Sequence, residues 1–343
     1  MMCASNSSGK IFFFGGVGAG LSESILDVSD DMWIFDTHDY KWQQVSRTEP
    51  WPSPRRCSGF TALGGQLYLW GGSGIKESLK GTKRHNFLND LWVFDSDTNH
   101  WGLLEPAMTT SKVDDERPGP RYTPNLHVLS DEMFLFGGYT EDAIGQRKLN
   151  DSWIRKGSTW HEIPLTGPAG YGEGSGWPGV RYGSQSTTDG TSVYIFGGFS
   201  DDGDHNDLWA YKDGLFELIH GDSDSPAVPL PRYCAAFDFY DGGLYLFGGR
   251  SRRNPKANYS DLWRFDLANG VWNQLHPHGT IDDSGQVTPG YHAKSSVAVV
   301  GDQWYVWGGE GPHGHVSDFW RYSFTDRQWA LICPQRDDDP IFW

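Results

Sequence analysis

The sequence is short of the features that mark most functional classes. It holds four cysteines in 343 residues, Cys3, Cys57, Cys234 and Cys333, and none are paired in a C-x-x-C spacing. Neither a zinc ribbon nor a disulfide framework is therefore written into it, and reduced thiols are expected. No apolar run approaches the roughly 20 residues of a spanning helix. The N-terminus lacks a charged n-region and carries only the four-residue apolar run Ile11 to Phe14, so neither a leader nor a membrane anchor is expected, and a cytoplasmic location is. Net positive charge is also missing. At a formal −16 the chain has no basic surplus with which to displace counterions from a nucleic acid or to settle on an acidic membrane.

What it has in quantity is glycine, 44 residues, and aromatics, 15% of the chain, the composition of a loop-rich globular protein. The glycines are ordered. Pairs begin at Gly15, Gly71, Gly137, Gly197, Gly248 and Gly308, and each closes a short apolar run such as Val193-Tyr-Ile-Phe or Leu244-Tyr-Leu-Phe. Such runs read as buried strands. Eight to seventeen residues separate each pair from an Asp-x-Trp, at Asp31, Asp90, Asp151, Asp207, Asp261 and Asp318. A second aromatic stands seven or nine residues beyond that Trp: Trp42, Trp101, Trp160, Phe216, Trp272 and Trp329. Six copies of one unit are present, each too small to bury its own apolar faces.

Gly-Gly, a spacer, Asp-x-Trp and a second aromatic closely resemble the Kelch repeat, over nearly the whole chain. The resemblance implies an all-β, six-bladed Kelch β-propeller of four-stranded antiparallel blades, a single domain over residues 1–343, with the glycines and tryptophans structural. A closed ring leaves no sheet edge to pair, so a monomer is expected. Blade 1 lacks room for a full innermost strand: either a stub of about six residues serves, or the tail Pro340-Ile-Phe-Trp343 helps close the ring.

Sixteen residues before the Gly pairs stand Arg55, Arg121, Arg181, Arg232 and His292. Pointed into a channel mouth, these arginines and His292 would grip a carboxylate, phosphate or acidic peptide; turned inward, they would bond loop carbonyls or the Asp of Asp-x-Trp. Stepping by two from them along an extended strand gives a small, polar channel wall: Cys57, Gly59, Thr123, Asn125, Gly183, Gln185, Cys234, Ala236, Lys294 and Ser296. Lys294 beside His292 is the candidate proton-transfer pair in it. His276, His278, His313 and His315 cluster with Glu310 near blade 6, a donor set that suits iron or zinc. The iron-dependent plant specifier proteins resemble the chain in size, yet their Glu-x3-Asp-x3-His is met here by Glu23, Asp27 and Asp31, without the His.

Long loops fall on one face, where function is expected. Ten of 28 basic residues lie in three of them, Lys76 to Arg84, Arg147 with Lys148, and Arg250 to Lys256. Trp51, Trp177 and Tyr171 are candidate stacking surfaces. Two functions compete: binding of an anionic or polar small ligand, peptide or protein partner at this face, and a small-molecule enzyme of isomerase, lyase or metal-dependent type using the same mouth.

Overall fold

The computed structural model describes residues 2–5, 8–17, 28–77, 83–108, 116–142, 145–165, 169–170, 176–253, 258–279 and 287–333. They form six four-stranded antiparallel sheets, each ordered first to fourth along the chain, the blades of a Kelch propeller. None of the described residues forms a helix long and apolar enough to cross a membrane. The chain divides after Ile163 into two compact units.

The first unit holds three blades. Blade 1 comprises Met2–Ser5, Lys10–Val17, Val28–Asp36 and Lys41–Gln44; blade 2 comprises Gly59–Leu63, Gln66–Glu77, Lys83–Asp95 and His100–Glu105; blade 3 comprises Asn125–Leu129, Glu132–Asp142, Gly145–Lys156 and Thr159–Glu162. The second unit holds the other three. Blade 4 is Gln185–Thr188, Val193–Phe199, Asp204–Lys212 and Leu215–His220; blade 5 is Ala236–Tyr240, Gly243–Phe247, Leu262–Asp266 and Val271–His276; blade 6 is Ser296–Val300, Gln303–Gly311, Gly314–Ser323 and Gln328–Cys333. Blade 1 supplies its own first strand, with Met2 opposite Phe14. The tail at 340–343 lies outside the described residues.

The repeat residues account for the packing. Within each unit the aromatic before a Gly pair meets the second aromatic of the following blade: Phe14 and Trp101 at 5.2 Å between centroids, Trp70 and Trp160 at 6.2 Å, Phe196 and Trp272 at 5.5 Å, Phe247 and Trp329 at 4.9 Å. Each blade thus buries a face against its neighbour within the unit, at roughly 1.5–3 kcal/mol per large apolar side chain.

The Gly pair has a more specific cause than a sharp strand exit. Both glycines sit at positive φ, 58° and 102° at Gly197 and Gly198, and break the pairing register of the second and third strands in blade 4. A Cβ on Gly197 would lie 2.6 Å from the Arg232 carbonyl, and one on Gly248 would lie 2.3 Å from that of His292. The entering backbone of the next blade occupies the place of a side chain. The second glycine then donates to the same carbonyl: Gly16 to Arg55, Gly72 to Arg121, Gly198 to Arg232 and Gly249 to His292, at 2.8–3.0 Å.

The expected alternation by two from the arginines does not hold, because the chain is not extended there. First strands begin about four residues after each arginine. The residue two positions after it is left-handed in every case, with φ of 52° at Cys57 and Thr123, 65° at Gly183, 55° at Cys234 and 57° at Lys294. These residues form a belt. Thr123 N–H donates to the Cys57 carbonyl at 2.8 Å, Cys234 to Gly183 at 2.8 Å, and Lys294 to Cys234 at 2.9 Å. Left-handed conformation costs an L-residue roughly 1–2 kcal/mol, and Thr123 is β-branched with its hydroxyl buried and without a partner among the described residues. Thr123→Gly, the residue blade 4 already uses there, is expected to stabilise the protein by about 1 kcal/mol, read as a higher urea midpoint at unchanged slope. A lower midpoint would show that the threonine side chain makes a compensating contact.

Candidate functional site

The four arginines are not a ligand-binding ring. Arg55, Arg121, Arg181 and Arg232 are all no more than 2% exposed, and each guanidinium forks onto the Asp of its own blade. Arg181 is representative. Its Nη1 donates to Asp207 Oδ1 and its Nη2 to Oδ2, both at 2.8 Å, while Nη1 also reaches the Gly197 carbonyl at 2.8 Å and Nε the Gly179 carbonyl at 3.1 Å. Trp209 Nε1 donates to Asp207 Oδ2 at 2.6 Å. Arginine, Gly pair and Asp-x-Trp are therefore one buried network, repeated at Asp90, Asp151 and Asp261. Bidentate geometry with every oxygen occupied makes such a buried pair tenable. At Asp151 burial pushes the carboxyl up and Arg121 overrides it, leaving it below its ordinary value.

In blade 6 His292 fills the arginine's place. Its Nε2 lies 2.9 Å from Asp318 Oδ1 and its Nδ1 3.0 Å from the Gly290 carbonyl. Burial lowers the imidazole, but the Asp318 contact outweighs it and the pKa ends above the usual 6.5. His292 and Lys294 consequently form no proton-transfer pair: one ring is locked on Asp318, and the lysine Nζ sits 2.5 Å from Glu310 Oε1. The ring position assigned to His292 as a ligand contact falls with the arginines, since it is buried for the same reason.

The other candidates are dispersed. His276 is buried, edge-on to Tyr322 at 5.9 Å; His278 Nδ1 is 3.0 Å from Ser260 Oγ; His313 and His315 are exposed; Glu310 is engaged by Lys294 and Arg250. Among the described residues no three His, Cys, Asp or Glu side chains converge as an iron or zinc site would need. Trp51 is no stacking surface. It is buried in the core between blades 1 and 2, with Nε1 donating to the Asp30 carbonyl at 2.8 Å. Trp177 is half-buried beside Ala169, and Tyr171 lies outside the described residues.

One constellation absent from the sequence reading is a Ser–His–Asp relay. Ser200 Oγ is 2.8 Å from His205 Nε2, and His205 Nδ1 is 2.8 Å from Asp222 Oδ2. Nucleophilic chemistry would require an accessible hydroxyl, whereas Ser200 is 1% exposed and its Oγ accepts the Asp202 N–H. The relay anchors a loop, with Asp222 also accepting the Asn206 N–H at 2.7 Å.

A second row of side chains lies one residue beyond the buried network. Arg56, Tyr122, Tyr182, Tyr233 and Ala293 follow the arginines and His292, and form backbone bridges with Ser73, Tyr139, Phe199, Arg250 and Glu310, which follow the Gly pairs. In the first unit the Arg56 guanidinium stands 5.8 Å from the Tyr122 ring, and Phe87 stacks on Tyr122 at 6.2 Å. In the second, Arg250 lies over Tyr233 at 5.0 Å and Arg252 over Phe199 at 4.4 Å, with the Phe199 and Tyr233 rings 6.1 Å apart. Cation–π contact holds these guanidiniums in place with their edges still able to donate. The Nε atoms of Arg56 and Arg250 are buried without a hydrogen-bond partner among the described residues. Arg56 has no ion pair among the described residues. The sequence carried a signal for this row, since the residue after each arginine reads Arg, Tyr, Tyr, Tyr.

Comparison with known proteins agrees with the architecture. Kelch domain-containing protein 3 of Bos taurus is 26% identical over 326 residues, which cover 88% of this chain and 75% of that protein. Kelch domain-containing protein 2 of Bos taurus is 29% identical over 161 residues, 42% of this chain and 35% of that one. The leucine-zipper-like transcriptional regulator 1 homolog of Drosophila melanogaster is 24% identical over 339 residues, 96% of this chain but 31% of the relative. The profile of the KLHDC2/KLHL20/DRC7 Kelch-repeats domain matches residues 1–110 and 178–340, and with six blades built on that repeat the chain belongs to this Kelch family.

Proposed function

We propose that this propeller is a binding module that takes an anionic, peptide-like segment of a partner on the aromatic and cationic row of blades 4 to 6. The observation that carries the reading is the pair Arg250 and Arg252, each laid over an aromatic face at 5.0 and 4.4 Å. A guanidinium immobilised in this way loses less side-chain entropy on engaging a carboxylate than a free surface lysine does. Phe199, part-exposed beside Arg252, offers apolar area to the residues flanking that carboxylate. The row of Arg56, Tyr122 and Phe87 has the same chemistry in the first unit. On a chain of net charge −16 such cations select by position rather than by overall charge.

The test is fluorescence anisotropy with a fluorescein-labelled Glu-Glu-Tyr-Glu-Glu peptide and its Gln-Gln-Tyr-Gln-Gln counterpart. The acidic peptide is expected to bind, more weakly as salt rises, and an Arg250→Ala, Arg252→Ala variant to lose about tenfold or more in affinity, in the range of a charge-assisted contact. Equal binding of both peptides, or no response to the variant, would refute this reading.

A further inference from the structure

Two cations of the second unit, Arg250 and Lys294, already face an anion of the protein's own. Glu310 follows the Gly pair of blade 6, where the second strand leaves toward the third. Its Oε1 lies 2.5 Å from Lys294 Nζ, and its Oε2 contacts Arg250 Nη1. The carboxylate is half-buried, with its side chain 23% exposed. Burial pushes it up, but Lys294 and Arg250 override this and keep it ionised below its ordinary value. Lys294 and Arg250 come from separate segments, the left-handed belt of blade 6 and the residue after the Gly pair of blade 5. Neither is placed by Glu310 alone: Lys294 is fixed by its backbone bond to Cys234, and Arg250 by its bridge to Tyr233 and the ring beneath it.

We infer that Glu310 is an internal stand-in for the partner's anion, and that it sets the affinity of this site by competing for Arg250 and Lys294. The inference rests on the binding reading above. An incoming carboxylate must displace the Glu310 side chain before it gains the guanidinium, so the observed affinity is reduced by the stability of the internal pair. A partner that presents a single weakly held anion is rejected. One that presents two, or adds apolar contact to the part-exposed Phe199, overcomes the competition. Specificity then comes from the anion already in the site as much as from the cations.

The experiment uses the full chain and the same acidic peptide. Glu310→Gln keeps the size and one acceptor of the side chain while removing its charge, and is expected to tighten binding by about tenfold, equivalent to about 1.4 kcal/mol. Asp224→Asn, which removes an exposed carboxylate from the loop between blades 4 and 5, is the control for net charge and should change affinity by less than about twofold. In the Glu310→Gln, Arg250→Ala double variant the gain should vanish. Equal gains from Glu310→Gln and Asp224→Asn would reduce the effect to general electrostatics and overturn the inference. So would unchanged affinity in Glu310→Gln while Arg250→Ala still weakens binding, an outcome that leaves the binding reading standing. Failure of wild type and Glu310→Gln alike to bind the peptide would overturn both.

Discussion

Arg181→Met is expected to lower the unfolding free energy by about 3–5 kcal/mol, the cost of stranding a buried charge. Arg181 and Asp207 are both 0% exposed, so the carboxylate left behind has no water to turn to. It would retain only the Trp209 indole N–H. Asp207→Leu added to Arg181→Met removes the stranded charge and should recover more than half of the loss, because an apolar pair of similar volume commonly does as well as the ion pair it replaces. Equilibrium denaturation in guanidinium chloride, with tryptophan fluorescence as the probe, measures both. A loss of less than about 1 kcal/mol in the single variant would mean that the network behaves like a surface ion pair, contrary to its burial.

A second large effect concerns pH. Asp238, in the first strand of blade 5, accepts from Trp304 Nε1 of blade 6 at 2.7 Å and from Thr187 Oγ1 of blade 4 at 3.5 Å. Thr187 Oγ1 in turn accepts the Phe239 N–H at 3.0 Å. Three blades of the second unit meet at one carboxyl, and no cation pairs with it among the described residues. Burial pushes its pKa up to about 7, and the bonds from Trp304 and Thr187 only moderate the rise. A carboxyl whose folded value exceeds its unfolded one binds more protons in the folded state, so stability falls as pH climbs from the unfolded value, 3.8, through 7. The residue keeps some solvent exposure, which tempers the effect to about 2 kcal/mol between pH 5 and 8. Asp238→Asn keeps an acceptor for Trp304 and should flatten most of this slope, matching wild type near pH 5 and exceeding it at pH 8. His292, whose raised folded pKa also contributes stability at low pH and loses it as pH rises, adds slope of the same sign, and His85, whose pKa burial lowers, adds slope of the opposite sign. Parallel curves for wild type and Asp238→Asn would show that the carboxyl does not titrate in this window.

The blade count, the strand runs and the role of the tryptophans of the repeat were legible because a six-fold repeat states the same physical demand six times. The arginine position was legible too, although its direction was not. An arginine at this point of the repeat looks identical whether the guanidinium faces solvent or an aspartate 26 to 35 residues away. The channel wall was misread for a local reason. Cys57, Thr123, Cys234 and Lys294 adopt a conformation that only glycine announces, and Gly183 alone hinted that the chain reverses there. The Ser200, His205 and Asp222 relay was hidden by a loop that folds back over 17 residues. The Arg250 and Glu310 contact spans 60 residues, with nothing in the intervening composition to suggest it.

The hand-over of backbone at the Gly pairs of blades 1, 2, 4 and 5 bears on how such a chain can be taken apart or lengthened. Within each unit the carbonyl that completes one blade belongs to the arginine or histidine that begins the next, so a cut between fourth and first strands there removes a bond that both sides need. The exchangeable cassette is offset from the visible sheet. It runs from one Gly pair to the next, carries the entry arginine of the following blade with it, and is the length at which duplications or grafts between Kelch chains would join without leaving a donor unmatched.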